Sequence, residues 1–349
     1  MKILSALILS LGSVFVFSQG IKEKNRTSGT GQNSSSLVVK AKTGISDPVI
    51  TKKDPGNINS GGPTDSQAGA DNIPQTIETP NNKYHDTRGD IDVSGSGQLS
   101  FSLPIALPPG IKNVAPQINL TYNSGSGSGI AGYGWNLSGI SSISRIGKNI
   151  DRDGKVQGIK LDYSDYYSFN GQRLILKSGE YGKDGAEYVT ENYSNIKIKS
   201  VGAIAGQLWK GPEYWEVTME DGSQMWYGAT ASGSSAARTP VEYNIVKWRD
   251  VNGNYIQYNY VLSKNVAALS SVQWGGNDVV NKNHFNTVTF NYNTVVSRDI
   301  KESFYLETVN FQQEKLLNSI TVTSNGNPFK TYEIAYKKMV PIISKLTRL

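Results

Sequence analysis

The sequence predicts an all-β protein built from one large antiparallel sheet that curls on itself or packs as a sandwich. Tyrosine and glycine are abundant, with 19 and 36 residues among 349, and tyrosine-rich strands separated by glycine turns are typical of β-structure. Short runs of alternating polar and apolar residues recur along the chain. Several of these runs are separated by Asn-Gly or Asp-Gly, which is a strong signal of a β-hairpin.

The chain begins with a segment that has the parts of an export signal. Lys2 supplies a positive charge, an apolar run extends from Ile3 to Phe17, and Ser18 is small enough for the cleavage position. We expect residues 1–18 to be removed, so that the secreted or cell-surface protein begins at Gln19. The apolar run is shorter than the roughly 20 residues of a transmembrane helix, and a stable membrane span is therefore not expected.

Residues 19–88 are predicted to form a disordered linker. Serine, asparagine, glycine and other polar residues dominate this stretch, and such a composition buries too little apolar surface to offset the entropy of ordering. Leu37–Val39 and Val49–Ile50 are too short to found a core. The folded β-domain is predicted at 89–349. Because Ser344–Leu349 ends inside a strand pattern, we expect the chain to be truncated at its carboxy terminus.

The stretch from Asp92 to Arg145 organises the rest of the sequence. It contains two strand patterns, Gln98–Leu103 and Gln117–Tyr122, and prolines between them interrupt strand pairing because they lack an amide hydrogen. A glycine-rich turn at 124–134 follows. We expect these structural motif residues: Pro104, Pro108, Pro109, Tyr122, Gly132, Gly134, Trp135 and Arg145.

Trp135 is predicted to be a structural residue and not a ligand contact. Gly132 and Gly134, which precede it, allow a turn in which a Cβ atom would crowd the chain. We expect the indole to pack against apolar residues that follow it and against the end of the preceding strand. The expected partners are Leu137, Ile140, Ile143, Pro104, Ile105 and Leu107. Trp209 lies in a less patterned stretch, and its removal is expected to cost less stability.

The second half of the sequence predicts a succession of hairpins. Their turns are Asn170-Gly171, Asp221-Gly222 and Asn252-Gly253, and a further tight turn is predicted at Asp151–Gly154. Additional strands are predicted at Leu269–Trp274, Thr287–Tyr292, Ser319–Thr323 and Thr331–Tyr336. Phe311–Leu317 is the one run rich in helix formers, and it predicts at most two helical turns.

Two short patterns resemble ligand sites, and we interpret both as turns. Gly127–Gly132 has the G-x-G-x-x-G spacing, but the helix that would hold a pyrophosphate is replaced by a serine- and glycine-rich run. Asn149, Asp151 and Asp153 offer oxygens to Ca²⁺, yet the other ligands of an EF-hand loop are missing. No cofactor and no metal site are therefore predicted.

No catalytic residues are predicted, and we expect the protein not to be an enzyme. His85 and His284 have no metal ligand at suitable spacing, and neither G-x-S-x-G nor H-E-x-x-H occurs. The absence of cysteine excludes disulfides and thiolate chemistry. Lysine and arginine are scattered despite a net charge of +6, which does not indicate a nucleic-acid partner.

The six tryptophans have two interpretations. A sheet without cysteine needs large buried side chains, so we interpret them mainly as core residues. A sugar-binding face is the alternative, because exposed indoles stack on sugar rings. The residues concerned are Trp135, Trp209, Trp215, Trp226, Trp248 and Trp274.

The motif residues resemble the amino-terminal domain of the Salmonella plasmid virulence protein B family, which also opens the B components of insecticidal toxin complexes. The matching residues are Pro104, Ile105, Leu107, Pro108, Pro109, Pro116, Leu120, Tyr122, Ser124, Gly125, Gly132, Gly134, Trp135, Leu137, Ile143 and Arg145. The resemblance is looser onward to about Tyr260, and the strands that follow resemble RHS/YD-type extensions.

This resemblance implies a secreted, non-catalytic virulence or toxin scaffold. It would form the first part of an RHS-type shell that carries or encloses a downstream effector. Its partners would be downstream RHS and toxin segments or a separate toxin-complex subunit. The family's actin-modifying domain has no counterpart in this sequence. An exported surface module, an adhesin or glycan binder, is the alternative function.

Overall fold

The computed structural model describes residues 35–43, 89–231, 236–294 and 302–338. These residues form strands almost throughout, which confirms the all-β prediction. The amino-terminal strands are β1 (Ser35–Thr43), β2 (Asp90–Val93), β3 (Leu99–Pro104), β4 (Asn119–Asn123), β5 (Ser128–Gly129), β6 (Gly132–Tyr133) and β7 (Trp135–Ser138). A single 3₁₀ turn, Ile111–Asn113, lies between β3 and β4.

Eight antiparallel strands close into a barrel. Each strand pairs with the next, and the last strand returns to pair with the first. They are β8 (Ser142–Ile146), β9 (Tyr166–Phe169), β10 (Gln172–Ser178), β11 (Glu187–Thr190), β12 (Lys197–Val201), β13 (Tyr214–Thr218), β14 (Gln224–Tyr227) and β15 (Glu242–Arg249). The sheet thus curls as predicted, and barrel closure removes the free edges of these strands.

The remaining strands form an open extension of the barrel sheet and one separate hairpin. They are β16 (Asn254–Ser263), β17 (Val266–Asn277), β18 (Asn286–Thr294), β19 (Glu302–Leu306), β20 (Val309–Gln313), β21 (Lys315–Ser324) and β22 (Asn327–Lys338). The order of the extension is β15-β16-β17-β18-β21-β22-β1, and β19 and β20 form a separate hairpin.

Strand β15 joins the barrel to this extension because its two halves have different partners. Residues 242–244 pair with β8 and close the barrel. Residues 247–249 pair with β16 and begin the extension. One continuous strand therefore fixes the position of the open sheet relative to the closed one.

A four-stranded sheet in the order β2-β3-β4-β7 contains most of the predicted motif. Its register aligns Leu103, Leu120 and Leu137 in one row, and all three side chains are buried. Directly paired residues lie on the same face of an antiparallel sheet. This row therefore attaches the small sheet to the core, as the alternation of Gln98–Leu103 and Gln117–Tyr122 predicts.

The predicted hairpin turns have the backbone conformation that their sequences require. Asn170 and Gly171 have φ values of 48° and 78° between β9 and β10, the positive values of a type I′ turn. Gly222 and Gly253 also have positive φ. The Asp151–Gly154 turn takes the form of one helical turn, α1 (Ile150–Asp153), which ends at Gly154 in the left-handed region.

The helical prediction for Phe311–Leu317 is wrong. Phe311 belongs to β20 and Leu317 to β21, and both side chains are buried. Helix propensity in this run differs little among its residues, at most about 0.7 kcal/mol each. The free energy gained by pairing with β19 and β18 in a packed sheet is larger than this helix preference. The residues of the run itself do not indicate which strands will pair with them.

The structure describes one segment of the predicted linker at 19–88. Ser35–Thr43 forms β1 and pairs antiparallel with β22 through all nine of its residues. The composition of the segment gave no sign of this, because the strand is completed by the edge of a distant sheet. The other residues of 19–88, and the predicted signal at 1–18, lie outside the described residues.

In the part of the chain that the structure describes, no helix has the length and hydropathy needed to cross a membrane.

Candidate functional site

The proline-rich segment between β3 and β4 lies across the open sheet and is fixed there by three hydrogen bonds. We call Ala106–Gly110 the proline clasp. The Trp274 Nε1 donates to the Pro108 carbonyl at 3.0 Å, and the Asn286 Nδ2 donates to the Pro109 carbonyl at 3.1 Å. The Ala106 amide donates to the Tyr332 hydroxyl at 2.8 Å. The clasp thus connects the four-stranded sheet to β17, β18 and β22.

The sequence of the clasp suits this geometry. Pro108 and Pro109 have no amide hydrogen to satisfy, so only their carbonyls need partners, and the open sheet supplies them. A Cβ atom on Gly110 would lie 2.1 Å from the Val114 carbonyl oxygen and 2.9 Å from Cδ1 of Trp274. Glycine is therefore required where the chain leaves the clasp. Pro104 precedes it, at the exposed end of β3.

Trp135 lies in an aromatic row that crosses the four-stranded sheet. The register aligns Ile91, Phe101, Tyr122 and Trp135. The Trp135 ring centroid lies 5.9 Å from Phe101 and 5.3 Å from Tyr122. Both distances suit favourable edge-to-face or tilted contacts. Ile91, at the end of the row, is 71% exposed, so one end of the row faces solvent.

The predicted role of Trp135 needs two corrections. The ring contacts that the structure shows are Phe101 and Tyr122, and neither was among the expected partners. Trp135 is only partly buried, whereas Trp209 is 6% exposed, which reverses the expected ranking of the two. The neighbouring glycine behaves as expected, since a Cβ on Gly134 would lie 2.6 Å from the Tyr122 ring. Gly132 likewise has a positive φ, of 109°.

Arg145 lies in the barrel, completely buried, with its charge neutralised by Asp165. The Arg145 Nη1 donates to the Asp165 Oδ2 at 3.0 Å and to the Asp162 carbonyl at 3.0 Å. The Nη2 donates to the Lys210 carbonyl. Burial raises the pKa of Asp165, while the Lys160 amide and the guanidinium oppose this shift. A buried charge without these partners would be strongly destabilising.

Aromatic rings surround this ion pair in the barrel interior. Tyr167 lies 5.1 Å from the Arg145 guanidinium carbon, and its ring centroid lies 4.9 Å from that of Trp215. Tyr243 also contacts Trp215, and its hydroxyl donates to the Pro212 carbonyl at 2.9 Å. Burial raises the pKa of Tyr167 and of Tyr243, so both phenols remain neutral hydrogen-bond donors near neutral pH.

A second ion pair joins α1 to the barrel wall. The Arg173 Nη2 donates to the Asp153 Oδ1 at 2.5 Å, and the Nη1 donates to Oδ2 at 3.1 Å. The guanidinium carbon also lies 3.7 Å from the centroid of the Tyr166 ring. Asp153 therefore has a structural partner, which leaves it unsuited to the calcium role that was considered for this turn.

The Asp153 pair predicts a dependence of stability on acid pH. The hydrogen bond from Arg173 lowers the pKa of Asp153 in the folded state, below the unfolded value of about 3.9. The pair therefore stabilises the fold above the unfolded pKa, and this contribution is lost as pH falls through the folded pKa. We expect Asp153→Asn to reduce the loss of unfolding free energy between about pH 5 and pH 3, measured by denaturant titration.

Asp151→Asn is the matched control, because Asp151 lies in the same turn and its side chain is exposed. It should keep the acid sensitivity of the wild type. Equal acid sensitivity of Asp153→Asn and the wild type would contradict the assignment of this effect to the Arg173 pair.

The remaining sequence candidates do not assemble into a binding site. Gly127–Gly132 forms the β5–β6 hairpin, and a Cβ on Gly129 would lie 2.2 Å from the Trp135 carbonyl oxygen. The Asn149 side chain accepts from the Arg152 amide and caps α1. The His284 ring centroid lies 4.3 Å from that of Tyr255, and His85 lies outside the described residues. No cluster of metal-ligating residues occurs among those described.

The tryptophans are divided between core and surface. Trp209, Trp215 and Trp274 are at most 6% exposed, so they are not accessible to a sugar ring. The other three are partly buried: Trp135, Trp226 and Trp248. Trp135 and Trp248 pack against the core. This distribution agrees with the interpretation of the tryptophans as mainly core residues.

The sequence interpretation missed the partners of the motif residues. Asp165, Trp274, Asn286 and Tyr332 were not singled out as motif contacts, although they bind Arg145 or the proline clasp. The clasp partners lie between 166 and 226 residues away in the chain. The predicted strand at Leu269–Trp274 correctly places Trp274 in a sheet. No pattern near Trp274 in the sequence indicates that its side chain contacts the clasp.

Comparison with known proteins gives one family and a set of solved structures. The model of the family described as Salmonella virulence plasmid 65kDa B protein (SpvB) matches residues 93–283. The matched segment includes the clasp, the whole barrel, and β16 and β17 of the open sheet. The comparison with curated proteins gives no match.

The TcdB2-TccC3 structures share the fold at low sequence identity. The crystal structure of TcdB2-TccC3-TEV is 14% identical, with 77% of this chain and 15% of that chain covered, at a TM-score of 0.53. For TcdB2-TccC3 the identity is 14%, the coverage 72% and 16%, and the TM-score 0.50. The amino-terminal domain of effector protein SpvB from Salmonella typhimurium strain LT2 is 15% identical, with 68% and 98% covered, at 0.46.

This chain spans less than one fifth of the TcdB2-TccC3 chains, so the similarity concerns one part of much larger proteins. The family model, by contrast, matches more than half of the present chain and includes the residues that form the clasp and the buried ion pair. The chain therefore belongs to the Salmonella virulence plasmid 65kDa B protein family.

Proposed function

We propose that this chain is a secreted, non-catalytic virulence scaffold that forms the amino-terminal part of an RHS-type toxin shell. In this role the closed barrel is a rigid base, and the open sheet continues into the wall that carries or encloses a downstream effector. Family membership and the similarity to TcdB2-TccC3 structures support this proposal. Its partners are downstream RHS and toxin segments or a separate toxin-complex subunit.

The single observation that favours a scaffold is the strand order of the open sheet. From β15 to β22 each strand of the extension pairs beside an earlier one, and the barrel fixes only the first of them. At the other end of this sheet the edge of β22 carries β1, and backbone hydrogen bonding at such an edge is the means by which a further strand can add. A wall built by strand addition needs a fixed base and an edge that can be extended.

The interior chemistry is consistent with a structural role. Arg145 and Asp165 neutralise each other, and Asp153 is bound by Arg173. Each of these charged side chains is bound by another side chain of the same barrel. The proposal therefore assigns the buried charges to folding and the sheet edge to assembly.

The direct test is binding of a purified RHS-repeat polypeptide to the full chain in biolayer interferometry. We expect a stable complex, and we expect Glu333→Lys to weaken it because Glu333 is exposed on β22. Glu180→Lys is the matched control, since Glu180 is an exposed residue of a barrel loop. Failure of the wild type to bind, together with retention of a sugar on a glycan array, would favour the surface-module alternative.

A further inference from the structure

The outer edge of the open sheet is occupied by a strand that is out of chain order. From the barrel outward the sheet runs β15, β16, β17, β18, β21 and β22. The next position, beside β22, is filled by β1, which comes from near the start of the sequence. A segment from near the start of the sequence, β1, therefore lies at the position where the next strand of a continuing sheet would pair with β22.

The pairing of β1 is long and regular. Its register runs from Ser35 opposite Lys338 to Thr43 opposite Lys330 without a shift. The neighbouring pairs β21–β22 and β18–β21 each contain an irregularity. A continuous antiparallel ladder of nine residues satisfies the backbone groups of an edge that would otherwise invite unspecific pairing.

The edge of β22 is held in place independently of β1. The Tyr336 hydroxyl donates to the Leu317 carbonyl at 2.5 Å, and the Tyr332 hydroxyl accepts from the clasp amide of Ala106. Tyr332 and Ile334 are buried. The side chains of β22 are therefore anchored to the core by contacts that do not involve β1.

The end of β22 depends on β1 for its ladder. Pairing with β21 extends only as far as Glu333, whereas pairing with β1 continues to Lys338. The last residues of β22 thus have their strand partner on one side alone. Removing β1 should open the backbone amides of these residues to exchange, while the side-chain anchors of β22 remain.

The register also defines the sequence that this edge accepts. Ala41, Val39 and Leu37 are paired with Tyr332, Ile334 and Tyr336. Lys40, between them, is paired with Glu333. A strand of the same pattern therefore has small or apolar residues at alternate positions and a basic residue in register with Glu333.

We propose that Ser35–Thr43 is a resident strand that occupies the β22 edge and yields it to the next strand of a continuing RHS sheet. This inference rests on the proposed function, because it names the regulation of the same edge. While β1 is paired, the edge is protected from aggregation. An incoming strand of the same pattern replaces it without a change in the register of β22.

The test uses the full chain with Val38 and Val39 both replaced by proline. Neighbouring residues of an antiparallel strand direct their amides to opposite sides, so the double change removes at least one donor to β22. The control is Val49→Pro with Ile50→Pro, which places two prolines outside β1. Hydrogen exchange of residues 334–338 and binding of a fluorescent peptide with the sequence of Ser35–Thr43 are measured for all three proteins.

Loss of one or two backbone hydrogen bonds at about 1 kcal/mol each should speed exchange at 334–338 by about tenfold or more. The Val38/Val39 variant should also bind the peptide about tenfold more tightly than the wild type, by the same hydrogen bonds. The control should match the wild type. Unchanged protection of the β16–β17 ladder in every variant reports that the fold is intact.

Three outcomes would overturn the inference. The first is equal exchange at 334–338 in the Val38/Val39 variant and the wild type. The second is faster exchange without peptide binding. In the third, the wild type binds the RHS polypeptide and the Val38/Val39 variant binds it no more tightly. This third outcome leaves the proposed function intact. Loss of RHS binding in both proteins would instead refute the proposed function.

Discussion

Arg145→Met is expected to lower the free energy of unfolding by about 3–5 kcal/mol, or to prevent folding of the barrel. Methionine has a similar length to the aliphatic part of arginine, but it cannot neutralise Asp165. The side chains of Arg145 and Asp165 are 0% and 1% exposed, so the remaining carboxylate would be buried without its cation. Two main-chain carbonyls, of Asp162 and Lys210, would also lose a donor.

The double variant Arg145→Met with Asp165→Leu distinguishes the cost of an unpaired buried charge from the cost of lost packing. Removing both partners of a buried ion pair is often far less harmful than removing one. We therefore expect the double variant to recover part of the lost stability. The two carbonyl acceptors remain unsatisfied, which is why full recovery is not expected.

Arg152→Met is the matched control for a surface ion pair. Arg152 pairs with Glu191 at 3.0 Å, and its side chain is 48% exposed, so its contribution should be about 0–1 kcal/mol. Urea unfolding followed by tryptophan fluorescence compares all variants. An Arg145→Met protein as stable as Arg152→Met would show that the buried ion pair does not hold the barrel together.

Local patterns predict the strands of this protein well because each strand has its own signature. Alternation identifies β3 and β4, and Asn170-Gly171 identifies a hairpin whose positive φ values the structure confirms. These signals depend on residues that are adjacent in sequence and on the restricted conformations that asparagine and glycine share. They need no knowledge of the partner strand.

Closure of the barrel and the position of β1 could not be predicted in this way. The barrel closes because β15 pairs with β8 about 100 residues earlier, between Tyr243 and Ile143. β1 pairs with β22 across nearly the whole chain. Long-range pairings depend on edges that several other strands create together, and the alternation of each strand is compatible with more than one neighbour.

The motif residues were identified from the sequence, whereas their physical roles were only partly anticipated. Arg145 was singled out without a partner, and the structure places the buried Asp165 beside it. Trp135 was expected to be a structural residue, but it is only partly buried, whereas Trp215 and Trp274 are completely buried. Burial of a residue depends on which elements cover it, and that is a property of the assembled sheets.

Trp274→Ala is expected to lower the free energy of unfolding by about 3–5 kcal/mol, the usual cost of removing a large buried aromatic side chain. The indole is 0% exposed. It also holds the proline clasp, because its Nε1 donates to the Pro108 carbonyl. Its removal should therefore both leave a cavity beside β17 and detach the segment that connects the four-stranded sheet to the open sheet.

Two further variants distinguish the packing contribution of Trp274 from the contribution of its hydrogen bond to the proline clasp. Trp274→Phe retains most of the aromatic surface but cannot donate to Pro108, so its cost should be smaller, with about 1 kcal/mol from the lost hydrogen bond. Trp135→Ala removes a partly buried ring from the motif itself, and it should cost less than Trp274→Ala because less apolar surface returns to water. Denaturant unfolding gives the three free energies.

Hydrogen exchange identifies which part of the molecule responds. In Trp274→Phe the amide of Ala106, which donates to Tyr332, should exchange faster than in the wild type, while the barrel ladder between β8 and β15 remains protected, because only the clasp has lost a partner. Trp135→Ala should leave this clasp amide protected, since its ring packs on Phe101 and Tyr122. If Trp135→Ala proved more destabilising than Trp274→Ala, the small sheet would be held by its aromatic row and the clasp would be secondary.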